Sequence, residues 1–357
     1  MNGTFQRLMA DATNLTRSGD LRAATAAIQA ALSGAITPTQ TMLGDTAVIE
    51  GEAHEVRDDD SESPRSASGT GQFVSGSYSD KNGSRDYKLF IPPRGSDKPL
   101  PLVVMLHGCT QNPDDFALGT GMNDAALAQG FIVLYPAQTQ NANASRCWNW
   151  FMRSHQQRDL GEPALLANMT RDVMAKYNVD PERVYVAGLS AGGAMAAILG
   201  DTYPDLFAAV GVHSGLATGS AKDVQSAFGV MNSGVSAGSS SGGRVDDGAR
   251  KTPPTIVFHG DQDTTVNPAN GARVAAFSAT ETALETERGQ SDNGRSFTKN
   301  IYSKRNGNVS AEHWVVHGAG HAWSGGSARG SYTDARGPSA TLEMLRFFFT
   351  HTLKKPG

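Results

Sequence analysis

Residues 184–199 read VYVAGLSAGGAMAAIL, and this stretch decides the fold. Its first residues are apolar and favour a buried strand, whereas its alanine-rich end favours a helix. Between them lies GLSAG at 188–192, a Gly-x-Ser-x-Gly pentapeptide. In a strand–turn–helix context the glycines allow close packing, and the serine is presented at a helix N-terminus, whose N–H groups favour negative charge. The pattern predicts that Ser190 is a nucleophile and that the Ala191 N–H is one donor to a developing oxyanion.

Apolar runs on both sides of this stretch alternate with helical segments such as Asp124–Gln129 and Leu165–Tyr177. Runs without polar alternation are typical of strands buried on both faces. Eight strands are predicted, at Gly76–Tyr78, Tyr87–Ile91, Leu102–Leu106, Ile132–Leu134, Val184–Ala187, Ala209–Val212, Thr255–Phe258 and Trp314–Val316. Together they predict an α/β protein with a mostly parallel eight-stranded sheet flanked by helices, which is the α/β-hydrolase fold.

The chain divides into three predicted parts. Residues 1–43 form a short N-terminal helical segment, and residues 44–71 are acidic, rich in Ser and Gly and poor in apolar side chains, which is typical of a flexible linker. Residues 72–357 form the α/β-hydrolase domain. Within it, residues 216–251 are rich in Gly, Ser and Ala and are interpreted as an insertion, either a lid or a solvated loop.

Composition excludes several classes of protein. A formal net charge of −4 and the absence of a long Lys/Arg run argue against nucleic-acid binding. No apolar stretch approaches the length of a membrane-spanning helix. No His/Cys cluster has the spacing of metal ligands, so neither a metal nor another cofactor is expected. The first residues lack the basic and apolar regions of a secretory signal, which favours a cytoplasmic location.

A nucleophilic serine on such a turn needs an acid and then a histidine further along the chain. The predicted strand Thr255–Phe258 is followed by HGDQDTTV at 259–266, which offers two aspartates. Asp261 adjoins the turn glycine and is suited to forming the turn itself. Asp263 lies further out in the loop and is the preferred acid, with Asp261 as the alternative.

His321 is the predicted general base. It follows the flexible GAG at 318–320 after the last strand, where the backbone has the freedom to bring an imidazole to the serine. Other histidines, such as His107 and His259, precede glycine at strand ends and are expected to brace turns. The loop LHGCTQ at 106–111 is expected to supply the second oxyanion donor, the Cys109 N–H.

These motifs together resemble the polyhydroxybutyrate-depolymerase-type esterases, which are related to bacterial feruloyl and acetylxylan esterases. The resemblance spans about residues 72–353 and depends on LHGCTQ, CWNW at 147–150, GLSAGG, DQD at 261–263 and GHAWSGG at 320–326. It implies a serine carboxylic-ester hydrolase that works through an acyl-enzyme on a small-molecule or polymeric ester. Relatives of this kind are often extracellular.

The resemblance implies short-chain esters as substrates, with hydroxyalkanoate polyester or its oligomers preferred. The alternative is a feruloyl or acetylxylan esterase acting on plant polysaccharide, and a remote alternative is an inactive binding protein that keeps the fold. The resemblance and the position of two loops on one rim of the sheet favour a disulfide between Cys109 and Cys147. Two reduced thiols are the alternative.

Aromatic residues near the catalytic loops are candidates for contact with substrate. Trp148 lies in the loop beyond the fourth strand, and Trp323 lies two residues after His321. Their rings are predicted to stack on an acyl or sugar group, whereas core packing is the alternative, above all for Trp150.

Overall fold

A computed structural model of the chain describes residues 70–93, 97–234, 252–279, 283–292, 294–304 and 306–353. The predicted N-terminal helices at 1–43 and nearly all of the predicted linker at 44–71 lie outside these residues. Both therefore stay predictions. The first described strand begins at Gln72.

The described residues form one ten-stranded sheet and a small two-stranded one. The strands of the large sheet are β1 Gln72–Asp80, β2 Gly83–Ile91, β3 Leu100–Leu106, β4 Ile132–Pro136, β5 Val179–Leu189, β6 Ala209–His213, β7 Thr255–Gly260, β8 Ala283–Gln290, β9 Ser296–Ser303 and β10 Val309–Val316. Their spatial order is β1-β2-β4-β3-β5-β6-β7-β10-β9-β8. The small sheet pairs β11 Trp323–Ser324 with β12 Thr333–Asp334.

The six central strands, from β4 across to β10, pair in parallel, and antiparallel strands flank them on both sides. The predicted mostly parallel sheet is therefore confirmed. The count of eight strands is wrong, because β8 and β9 add an antiparallel pair at one edge. Their sequences, ALETERGQ and SFTKNIYS, mix charged and apolar residues and do not form continuous apolar runs.

Seven α-helices are described: α1 Pro113–Thr120, α2 Met122–Gln129, α3 Gly161–Lys176, α4 Ala191–Thr202, α5 Val224–Ser233, α6 Ala269–Ser278 and α7 Ala340–Phe349. The buried side chains of α3, α4, α5 and α6 join one core cluster, and those of α1, α2 and α7 join the other. The sheet thus has helices on both faces.

Strand β3 shows why the central strands read as uninterrupted apolar runs. Leu102 and Val104 belong to one core cluster, whereas Val103 and Met105 belong to the other. Successive side chains of a strand point to opposite faces, so burial on both faces requires an apolar residue at every position. All four side chains are fully buried.

The predicted insertion at 216–251 is described only as far as residue 234 and contains α5. Residues 235–251 lie outside the described ranges, so its interpretation as a lid or loop stays a prediction. In the described ranges we find no helix with the length and apolar character needed to cross a bilayer.

Candidate active site

Ser190 occupies a tight turn between β5 and α4. Its backbone has φ 57° and ψ −118°, a conformation that non-glycine residues rarely adopt. The Ser190 N–H donates to the carbonyl of His213, the last residue of β6, at 2.8 Å. Such strain costs about 1–3 kcal/mol and is concentrated at functional positions.

The two glycines of the pentapeptide are required by close packing around this turn. A Cβ atom on Gly192 would lie 2.0 Å from the Leu106 carbonyl oxygen, at the end of β3. A Cβ atom on Gly188 would lie 2.4 Å from the backbone of Gly192. Both contacts involve backbone, which cannot move aside as a flexible side chain can. Strand β5, helix α4 and the end of β3 therefore meet at a distance that only glycine permits.

The loops that follow β7 and β10 are joined by backbone contacts. The Gln262 N–H donates to the Ala319 carbonyl at 3.0 Å, and the Asp261 N–H donates to the Val316 carbonyl at 3.1 Å. At the end of β7, a Cβ atom on Gly260 would lie 2.3 Å from the Ala319 carbonyl oxygen. The two loops that carry the candidate acid and base are thus held side by side.

Asp263 contacts His321 directly. Its Oδ2 lies 2.7 Å from Nδ1 of His321, and its Oδ1 accepts the N–H groups of Thr265 at 2.9 Å and Val266 at 2.8 Å. An ionised carboxylate only accepts hydrogen bonds, so Nδ1 of His321 carries the proton and Nε2 is left with a free lone pair. This tautomer is the one that a general base needs.

The Asp263 side chain is fully buried, with 0% of its surface exposed. Burial alone would raise the pKa of Asp263, but hydrogen bonds and charge interactions with His259 and His321 outweigh it and hold the pKa well below its usual range. Nε2 of His259 lies 3.3 Å from Oδ2 of Asp263 and 2.9 Å from the Val266 carbonyl. The carboxylate is therefore ionised at neutral pH.

Asp261, the alternative acid, has a different partner. Its Oδ2 lies 2.9 Å from Nδ1 of His317, its Oδ1 accepts the Gly318 N–H at 2.7 Å, and 33% of its side chain is exposed. Nε2 of His317 lies 2.9 Å from the Thr298 hydroxyl. The structure thus separates the two aspartates, because Asp263 is paired with His321 and Asp261 with His317.

The described residues include no hydrogen bond between the Ser190 hydroxyl and His321, but His213 links their loops. The His213 carbonyl accepts the Ser190 N–H. The ring Nε2 of His213 accepts the N–H of Ser324 at 2.9 Å, and Ser324 lies three residues after His321. Burial, followed by repulsion from His259 and His321, holds the pKa of His213 well below its usual value. His213 is therefore neutral and able to accept.

The loop after β3 passes beside the serine. A Cβ atom on Gly108 would lie 3.7 Å from the Ser190 Cβ atom. The Gly108 N–H donates to the Gln111 side chain at 2.9 Å, and the Thr110 N–H donates to the Ser145 carbonyl at 2.7 Å. No acceptor for the Cys109 N–H occurs in the described part of the chain. Its role as a donor to the oxyanion stays a prediction.

A sequence model of the family described as esterase PHB depolymerase matches residues 85–284, which is more than half of the chain. The chain belongs to this esterase family. The chain is 32% identical over 234 residues to poly(3-hydroxyalkanoate) depolymerase C of Paucimonas lemoignei, covering 64% of this chain and 56% of that protein. It is 31% identical over 217 residues to a probable acetylxylan esterase A of Neosartorya fischeri, covering 58% of each.

The chain thus spans little more than half the length of these relatives of the esterase family. A solved acetyl xylan esterase from Aspergillus awamori matches 77% of this chain and 99% of its own, with a TM-score of 0.59 and 20% identity. That likeness confirms the predicted α/β-hydrolase fold.

The predicted disulfide between Cys109 and Cys147 is present in this family member. The Gln138 side-chain amide donates to the Cys147 carbonyl at 3.0 Å, and the Gln138 N–H donates to Nε2 of His107 at 3.1 Å. Nδ1 of His107 then donates to the Gly108 carbonyl at 2.8 Å. Burial lowers the pKa of His107 to about 4, which keeps the ring neutral for both roles. The two loops are thus joined by a covalent bond and by a polar chain.

Reduction of this disulfide should destabilise the protein by about 4 kcal/mol, the value that the chain-entropy model gives for a loop of this size. The two cysteines are 38 residues apart in the sequence. Urea unfolding of the wild type with and without reductant measures the loss. The double variant Cys109→Ala, Cys147→Ala is the control, because its unfolding should not depend on reductant. An unfolding free energy of the wild type that is unchanged by reductant would contradict the prediction.

The predicted stacking of Trp148 and Trp323 on substrate is not supported by their positions. Trp148 is 0% exposed and donates its indole N–H to the His107 carbonyl at 3.1 Å. Trp323 is 1% exposed, donates to the Thr341 hydroxyl at 3.0 Å and stacks on His213. Both rings are packed and hydrogen-bonded inside the fold, so we replace their predicted role with a packing role. Trp150 is buried too.

Sequence reasoning missed Glu162, a buried carboxylate close to the disulfide. It accepts hydrogen bonds from Arg85 at 3.2 Å, from the Asn149 N–H at 2.7 Å and from the Gln138 side chain. Burial alone would raise the pKa of Glu162, but interactions with His155 and then Gln138 and Asn149 lower it. In the sequence Glu162 reads only as an acidic residue near the start of a helix. Its partners come from distant segments, so no local signal identifies it.

Proposed function

We propose that this chain is a serine carboxylic-ester hydrolase. The observation that carries the proposal is the hydrogen bond from Nδ1 of His321 to the buried, ionised Asp263. It selects the imidazole tautomer that can remove a proton from a serine hydroxyl. Ser190, in its strained turn at the start of α4, is the serine to which the fold and the family relationship point.

In the proposed acylation step, Ser190 Oγ forms a bond with the ester carbonyl carbon while its proton moves to Nε2 of His321. The imidazolium that results is stabilised by the Asp263 carboxylate. Collapse of the tetrahedral intermediate breaks the bond to the alcohol oxygen, which takes the proton from Nε2. The product alcohol leaves, and the acyl group remains as an ester of Ser190.

The negative charge of the tetrahedral intermediate needs two fixed donors. We assign this role to the backbone N–H groups of Ala191 and Cys109, each of which is expected to contribute about 3 kcal/mol. In the second step His321 removes a proton from water, which attacks the acyl-enzyme. Release of the acid restores Ser190 with its proton. The described residues contain no group of three or more His, Cys, Asp or Glu side chains that could hold a metal ion.

Short-chain esters, and hydroxyalkanoate polyesters or oligomers in particular, are the proposed substrates. The family description and the 32% identity to a poly(3-hydroxyalkanoate) depolymerase support this choice. Acetylxylan or feruloyl ester hydrolysis is the second candidate, supported by the 31% identity to a probable acetylxylan esterase. An inactive binding protein is disfavoured, because binding alone gives no reason to bury an ionised carboxylate against His321.

A panel of esters tests the proposal. We expect the full chain to hydrolyse p-nitrophenyl butyrate and hydroxybutyrate oligomers, with methyl ferulate and acetylated xylan in the same panel to identify the acyl preference. In parallel, a fluorophosphonate should attach covalently to Ser190, which peptide mapping by mass spectrometry locates. Hydrolysis of feruloyl or acetylxylan esters alone would favour the second candidate. Neither hydrolysis nor labelling would show that the chain is an inactive member of the fold.

A further inference from the structure

Tyr332 is an exposed aromatic residue beside the candidate site. It directly precedes β12, and 46% of its surface is exposed. Its backbone φ is +52°, a left-handed conformation that a residue with a bulky side chain rarely adopts. Burial in the core does not account for this strain, because nearly half of the residue's surface is exposed. A strained position at a site rim points instead to a function.

The Tyr332 hydroxyl is directed toward the oxyanion loop. The Thr110 hydroxyl donates to the Cys109 carbonyl at 2.6 Å, so its proton is committed. The Tyr332 hydroxyl lies 3.2 Å from the Thr110 oxygen and must therefore be the donor between them. The phenol is thus hydrogen-bonded to the residue that follows Cys109.

The backbone around Tyr332 is fixed from two further directions. The Tyr332 carbonyl accepts a hydrogen bond at 2.7 Å from the N–H of Trp323, which lies two residues after His321 in the sequence. The preceding residue, Ser331, donates its N–H and its hydroxyl to the two oxygens of Asp115, at 2.8 and 2.6 Å. The ring is therefore held at the junction of the oxyanion loop and the His321 loop, and little conformational entropy remains to be lost when a ligand contacts it.

We propose that Tyr332 is a specificity-determining residue that packs its exposed ring against the part of the ester beyond the atoms next to the carbonyl. This inference rests on the proposed function and adds the substrate class, namely esters with an extended apolar or aromatic acyl group. We expect an acetyl group to end short of the ring. A large, pre-positioned aromatic surface is suited to such a contact, because aromatic rings bury much apolar area at low entropic cost.

The test compares methyl ferulate and a hydroxybutyrate trimer methyl ester with methyl acetate, which presents the same methyl ester on the smallest acyl group of the three. Tyr332→Ala should lower the kcat/KM of each larger ester relative to that of methyl acetate by about tenfold, mainly through KM. Tyr332→Phe should keep most of this preference, because it retains the ring. Leu284→Ala, which removes another exposed apolar side chain on the edge strand β8, is the matched control and should leave the ratio unchanged.

Tyr332→Gly separates the ring from the backbone strain. Glycine accepts a positive φ readily, so this variant loses the ring and relieves the strain. In Tyr332→Gly the kcat/KM of the larger esters relative to that of methyl acetate should fall as much as in Tyr332→Ala. Thermal unfolding should show that Tyr332→Gly is no less stable than Tyr332→Ala. An equal loss on all three esters, or an unchanged ratio in both variants, would overturn the inference. A wild type without activity or fluorophosphonate labelling would instead refute the proposed function.

Discussion

Ser190→Ala and His321→Ala should each reduce ester hydrolysis by about a millionfold. Nucleophile and base act as a unit, so the double variant should be hardly worse than either single one. The kcat/KM for p-nitrophenyl butyrate measures the loss, and the rate of fluorophosphonate labelling measures the nucleophile directly. Alanine at position 190 would have the same strained positive φ as serine. The thermal stability of Ser190→Ala should therefore stay close to that of the wild type.

Ser77→Ala is the control for this pair of variants. Ser77 is an exposed serine on the edge strand β1, and its replacement should change neither rate nor stability. Ester hydrolysis by Ser190→Ala at more than a few per cent of the wild-type rate would show that another group is the nucleophile. Full labelling of His321→Ala at the wild-type rate would show that another group is the base.

Asp263→Asn should lower kcat by about ten-thousandfold while leaving the fold intact. An asparagine amide can donate to Nδ1 of His321, which moves the ring proton to Nε2 and removes the lone pair that accepts the serine proton. Loss of the carboxylate also removes the charge that stabilises the imidazolium. A loss of this size is typical of the same change in other enzymes with a Ser-His-Asp triad.

Asp261→Asn offers a matched control two residues away. It makes the same chemical change in a second aspartate–histidine pair, because Asp261 is bonded to His317 and not to His321. We expect its kcat to fall by less than tenfold, with the effect appearing mainly in thermal stability. Steady-state kinetics of both variants across pH 5–9 make the comparison. If Asp261→Asn proves the more damaging change, our assignment of the acid is wrong.

The central part of the fold was predictable from sequence because burial on both faces leaves a local signal. Strand β6 is an unbroken apolar run before His213, and its prediction at Ala209–Val212 differs from the structure by one residue. Strands β8 and β9 carry no such signal. Residues such as Glu287 and Lys299 form a cross-strand ion pair at the exposed edge of the sheet, and side chains of this kind are typical of loops as well as of edge strands.

The candidate site was predictable to the extent that it depends on chain order. Ser190, Asp263 and His321 follow strands in the sequence that the fold requires, and the structure brings Asp263 to His321. The direction of side chains was not predictable. Trp323 is close to His321 in sequence, yet its ring is buried in the core. Tyr332 precedes the strand that pairs with β11, and its hydroxyl lies 3.2 Å from that of Thr110 in the loop after β3. Such contacts depend on tertiary structure alone.

The glycine packing around Ser190 has a consequence for engineering new substrate preferences into this scaffold. A Cβ atom on Gly188 or Gly192 would collide with backbone, so randomising these positions should yield mainly unfolded protein. The segment between β11 and β12 should tolerate substitution better. Arg329 and Tyr332 in this segment have exposed side chains. Within this segment Gly330 must be kept, because a Cβ atom there would lie 2.4 Å from the Gly119 backbone, and Ser331 must be kept for its bonds to Asp115. A mutant library limited to Ala328, Arg329 and Tyr332 should therefore retain a high fraction of folded clones while sampling altered acyl selectivity.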